Sequence, residues 1–193
     1  MEVKGNLVVD GVLASNIGGS VLLATYTPSA VASVDITSVI TTEYDFYEIF
    51  FNLLPVNDDV ELWVRSSTDN GATFASAAGS YRWQRHFGVG TNTAAQASAS
   101  DTRVNFSNTT ATGAVGNLAD EGVYGHMTIL NPGTATQSFS IGAVMHTLRA
   151  AADLEVGNCA GKRLAVGRIN ALRLLFETGN IASGFVTIYG RKQ

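Results

Sequence analysis

Apolar and polar side chains alternate along most of this chain with a period of two. Over residues 45–54, Tyr47, Ile49, Phe51 and Leu53 fall on one side and Phe46, Glu48, Phe50 and Asn52 on the other. Val60, Leu62 and Val64 alternate with Glu61, Trp63 and Arg65, and Tyr81, Trp83 and Phe87 with Arg82, Gln84 and His86. The same phase recurs over 123–130, 137–148, 168–176 and 184–189. Successive side chains of a strand point to opposite faces, so a half-buried strand gives this pattern. The segments are also rich in β-branched and aromatic residues, as strands are. Turn-forming groups such as Pro55-Val56-Asn57-Asp58, Asn131-Pro132-Gly133 and Gly179-Asn180 separate them. The best helical window is 147–156, whose AAADLEV run is read as one short turn. Many short strands parted by turns predict an all-β fold, an antiparallel β-sandwich of jelly-roll-like form.

Two stretches break the alternation. Residues 88–102, GVGTNTAAQASASDT, are small and polar, and are expected to form a long exposed loop. Residues 1–19 carry Val3, Leu7, Val8, Val9, Val12 and Leu13, too few apolar groups to bury their own surface. Gly18-Gly19 offers a hinge after them. The chain thus divides into an N-terminal segment, 1–19, that gains order by pairing with something else, and a sandwich domain, 20–193.

A length of 193 residues suits one well-buried domain, and 46% hydrophobic against 15% charged residues fits a packed globule. The net charge is −4 with no Lys/Arg stripe, so nucleic acid is not an expected partner. Cys159 is the single cysteine, which excludes an intrachain disulfide and C-x-x-C zinc sites and reads as a small buried hydrophobe. The start, MEVKGNLVVDG, does not read as a signal peptide. The most apolar run, IFFNLLPV, is far short of the roughly 20 residues of a membrane helix, so no membrane insertion is expected. These features predict synthesis in the cytoplasm.

The stretch Ser67-Thr68-Asp69-Asn70-Gly71-Ala72-Thr73-Phe74 resembles the Asp-box of sialidases and related β-propellers, with Phe in the Trp place. In those proteins the turn is structural and recurs once per blade, whereas here it occurs once. A propeller needs about 4–8 four-stranded blades. Asp69, Gly71 and Phe74 are therefore read as a structural turn closing a hairpin, with Asp69 accepting backbone hydrogen bonds and Gly71 taking a positive φ. No catalytic residues, metal ligands or cofactor motif emerge: His86, His126 and His146 accompany no nucleophile elbow, and no P-loop or dinucleotide fingerprint is present. His126 and His146 are placed on one outer sheet face as solvated or interface residues. Asp58-Asp59 and Asp120-Glu121 are expected to be solvated turn acids.

Apolar surplus remains on the polar side of the pattern. If Ile49, Phe51, Leu53, Leu62 and Val64 face the core, then Phe46, Phe50 and Trp63 face outward and predict an oligomer interface or, alternatively, a glycan contact. Trp83 belongs to the core. From about residue 24 onward the chain resembles small virion proteins of tailed bacteriophages, of the tail-fibre, spike and head-decoration kind. TTEYDFYEIFFNLLPVNDDVELWVRSSTDNGATF and RINALRLLFETGNIASGFVTIYGRK carry the likeness, and VKGNLVVDGVLA resembles the short β-repeats where phage fibres begin. The resemblance implies a non-enzymatic structural protein of the virion. It implies a homotrimer anchored to other virion proteins by its N-terminus, whose sandwich could contact the host surface. A carbohydrate-binding module that recognises a host glycan is the alternative.

Overall fold

The computed structural model describes residues 19–108, 114–149 and 153–192, together with the strand pair at residues 8–9 and 12–13. It is all-β. Fourteen strands are described: β1 (Val8–Val9), β2 (Val12–Leu13), β3 (Ser20–Tyr26), β4 (Val34–Thr37), β5 (Phe46–Pro55), β6 (Leu62–Ser67), β7 (Tyr81–Val89), β8 (Asn92–Asp101), β9 (Val104–Asn105), β10 (Gly122–Asn131), β11 (Ser140–Leu148), β12 (Leu154–Arg163), β13 (Ala171–Phe176) and β14 (Ile181–Arg191). An eight-stranded sheet in the order β3-β14-β5-β10-β11-β12-β7-β8 and a four-stranded sheet in the order β4-β13-β6-β9 form a sandwich. Every pairing is antiparallel.

The inward-facing sets are those the alternation predicts. Tyr47, Ile49, Phe51 and Leu53 from β5 meet Leu62 and Val64 from β6, with Tyr81, Trp83, Met127, Ile141, Leu172 and Ile188 in the same buried cluster. Glycine completes this core where a ring needs its space. Gly125 pairs with Phe51, and a Cβ on Gly125 would lie 2.4 Å from the tip of the Phe51 ring.

The chain changes sheet repeatedly. β3, β5 and β7 lie in the large sheet, while β4 and β6, between them in sequence, lie in the small one. This overturns the expectation that the Asp-box-like turn closes a hairpin. β6 pairs with β13 and β9, and β7 with β12 and β8, so residues 68–80 carry the chain from one layer to the other. Residues 88–102 are likewise not a loop. β7 continues to Val89, turns through Gly90 (φ 57°), and β8 pairs back along it from Asn92 to Asp101. β8 is an edge strand exposed along most of its length, so no core imposes apolar alternation on it, and backbone pairing alone makes it a strand. In place of the helical turn over 147–156, β11 runs to Leu148 and β12 begins at Leu154; residues 150–152 lie outside the described residues.

In the N-terminal segment, Val8 pairs with Leu13 and Val9 with Val12 in a two-stranded sheet of its own. Val3 and Leu7 lie outside the described residues.

Candidate interaction face

The inner face of the large sheet is covered by the small sheet. Its outer face carries an unusual amount of apolar surface. The strand registers align it in rows. One row reads Thr187, Phe50, His126, Val144, Asn158, His86 from β14 to β7; the next reads Phe185, Asn52, Tyr124, His146, Val156. Phe50, Tyr124, Val144, Val156 and Phe185 are each between 38% and 54% exposed. Single exposed apolar residues are ordinary; a contiguous set across five strands is not.

The imidazole of His126 stacks on Phe50 with ring centres 4.5 Å apart and planes at 13°, and Tyr189 meets Phe50 edge-on at 6.0 Å. His126 also lies 3.8 Å from the Glu48 carboxylate. His126 and His146 share a shallow depression with Phe50, Tyr124 and Val144, as their phase in the sequence predicts. His86 joins the same face, in a neighbouring depression bordered by Val144, Val156 and Asn158. Among the described residues, no group of three His, Cys, Asp or Glu could hold a metal ion, and no helix is long and apolar enough to cross a membrane.

Phe46, Phe50 and Trp63 do not form one surface. Phe46 and Phe50 belong to the outer face of the large sheet, and the Arg191 guanidinium covers Phe46 at 5.3 Å. Trp63 stands on the outer side of the small sheet, across the sandwich. Arg103 lies 4.3 Å and Arg65 5.5 Å from its ring, and its indole N–H donates to Glu61 at 2.7 Å. Glu61 itself is buried and also accepts from Asn105 and Arg103. The outward position of Trp63 is accounted for inside the chain, by cation–π contact and a charged acceptor. Phe50 is the one of the three whose ring keeps a large exposed area.

The Asp-box-like turn is fully wired. Ser67 Oγ donates to Asp69 Oδ1, and accepts from the Asp69 and Gly71 amides at 3.1 and 3.0 Å. Asp69 accepts from the Thr73 amide at 2.9 Å and from its hydroxyl at 2.5 Å. These bonds, from the Ser67 and Thr73 hydroxyls above all, hold the Asp69 carboxyl down at about 2. Asn70 and Gly71 take positive φ (57° and 89°). Asn70 then bonds Ser38 and Asn170, docking the turn on two other loops. Phe74 lies under Arg173, at 4.1 Å, which is paired to Asp35.

A buried polar cluster had no clear sequence signal. Arg85 and Glu155 face inward from β7 and β12, 1% and 2% exposed, and form an ion pair. Arg85 also donates to Gln96 at 3.3 Å, which donates to Asn108 at 2.8 Å. Both charged residues occupy inward phases, but a charge at an inward phase reads equally as a slip in the pattern. Cys159 is buried beside them, and burial pushes its thiol up to about 12. Glu121, read as a solvated acid, is buried; it accepts from the Leu118 amide at 2.8 Å and so closes its own turn.

No protein family, curated protein or solved structure matches the chain.

Proposed function

We propose that this chain is a non-enzymatic structural protein of a tailed-bacteriophage virion: an oligomeric fibre, spike or decoration subunit, attached by its N-terminal segment and presenting the sandwich. One observation carries the oligomeric part of this reading, the apolar outer face of the large sheet centred on Phe50, Tyr124, Val144 and Val156. Side chains of this size gain about 1.5–3 kcal/mol each on full burial. The ones here still hold about half of their surface in water, so a second copy laid on this face would recover part of that free energy several times over. The virion assignment is supported by the resemblance in residues 41–74 and 168–192 and by the all-β sandwich that it implies. The separate two-stranded unit before the sandwich suits an attachment segment.

The test is mass in solution. At micromolar concentration the chain is expected to run as a homotrimer by light scattering, and Phe50→Asp, which places a charge in the centre of the face, is expected to give monomers. A monomeric wild type removes the oligomeric reading. An oligomer untouched by Phe50→Asp moves the contact to another surface. Labelling of intact particles with an antibody to this chain tests the virion assignment itself.

A further inference from the structure

The like-charged pair Arg82 and Lys162 has no counterpart in this assembly role. The two residues are register partners on β7 and β12, directly opposite one another on the outer face and both exposed. Like charges in that relation destabilise a sheet, where an acid opposite a base would stabilise it. Neither belongs to an ion pair among the described residues. Arg82 uses only its Nε, in a long bond of 3.5 Å to the Ala99 carbonyl, which leaves both terminal nitrogens for another partner.

The pair overlooks a depression of about 480 Å³, a size usual for small-molecule sites. Ala97, Ala99 and Ala160 line it together with Gln84 and Ser140. Arg82 lies four strands from Phe50, roughly 19 Å at the usual strand spacing, and Ser140 and Ala160 lie roughly 13 Å along β11 and β12 from Val144 and Val156, so the depression borders the apolar face rather than occupying its centre.

We infer that Arg82 and Lys162 form a binding site for an acidic sugar, with the anionic group held between the two cations. Two adjacent cations suit one carboxylate or sulfate through charge-assisted hydrogen bonds. The Gln84 amide and Ser140 hydroxyl supply donors and acceptors for sugar hydroxyls, and the small alanine side chains of the lining leave room for a saccharide ring close to the sheet. The depression shows no exposed aromatic ring on which a nucleobase would stack. Bound anion also relieves the repulsion between the pair, so binding and stability are coupled.

The experiment measures melting temperature and calorimetric affinity of the full chain. The probes are a glucuronate-containing disaccharide, a sulfated disaccharide and an uncharged disaccharide, with sodium chloride at matched ionic strength. At least one charged disaccharide is expected to raise the melting temperature saturably, and the uncharged sugar and the salt are not; which charged sugar acts identifies the anion. Arg82→Gln is expected to weaken binding about tenfold or more. Lys162→Glu turns the repelling pair into an attracting one. It is expected to melt above the wild type without sugar and to lose the response, an outcome that misfolding cannot imitate. Absence of saturable binding by either charged sugar at millimolar concentration, an equal effect of salt, or undiminished affinity in Lys162→Glu overturns the site.

Discussion

Glu155→Leu leaves the Arg85 guanidinium charged within the sandwich with its carboxylate partner gone. Arg85 is 1% exposed. Burial already lowers its pKa, and Glu155 is the chief influence that opposes this. Removing one member of a buried ion pair costs about 3–5 kcal/mol, because the survivor loses both water and partner. For a domain of this size, about 2–4 °C of melting temperature per kcal/mol gives a fall of roughly 6–20 °C. The double variant Arg85→Met/Glu155→Leu removes both charges at nearly constant volume. It still gives up the bond to Gln96 and the contact of the guanidinium with the Phe87 ring at 4.3 Å. These are worth about 1–2 kcal/mol together. The double variant is therefore expected to lie within about 2 kcal/mol of the wild type and well above Glu155→Leu. Urea unfolding of the wild type, both singles and the double gives the coupling energy by a closed cycle. A Glu155→Leu cost under about 1 kcal/mol, or a double variant as unstable as that single, would refute the claim that desolvation of the pair dominates this site.

Asp69 sets an acid limit. Its folded pKa is depressed to about 2, so the turn's contribution is complete above roughly pH 4, the ordinary range of a free carboxyl, and is lost as the pH falls towards 2. Asp69→Asn should lower the melting temperature at neutral pH, and the gap to the wild type should close on acidification; a gap constant from pH 5 to pH 2 contradicts this. Gly125→Ala puts a methyl 2.4 Å from the buried Phe51 ring and should cost about 1–3 kcal/mol by denaturant melt, with Phe51→Leu in the same chain restoring part of it. Gly71→Val should destabilise as well, since φ is 89° and the new Cβ would fall 2.8 Å from Thr37 Cγ2. Deletion of residues 1–19 should leave the melting temperature unchanged while abolishing attachment to particles; a collapse of the melt would make the segment part of the sandwich.

What the sequence disclosed was what period two encodes. Tyr47 to Leu53, Leu62 and Val64, and Tyr81 and Trp83 sit inside because alternation records one buried face directly. β8 left no such record, since its Ala, Ser and Thr side chains meet little core. Partner choice was also hidden. Ser67 to Thr73 show their turn chemistry plainly, but whether the next strand pairs with β6 or joins the other layer depends on contacts with β12 and β13, about a hundred residues away. The outward phase of Phe50 and Trp63 was legible, while the guanidiniums that cover Trp63 come from Arg65 and from Arg103, outside its strand.

The order of strands in the large sheet bears on how the chain can be made. β14, the last of the described strands to be synthesised, lies between β3 and β5, and supplies an edge partner to both. Until residues 181–191 leave the ribosome, IFFNLL in β5 has one unpaired edge and β3 has no neighbour in its sheet. At about 5–20 residues per second, 193 residues take roughly 10–40 s to translate. A nascent chain must keep an apolar, strand-prone segment soluble for much of that time. Emergence of β14, rather than of any earlier strand, is then the event that completes the large sheet, and chains truncated before residue 181 should be found in aggregates or with holding chaperones.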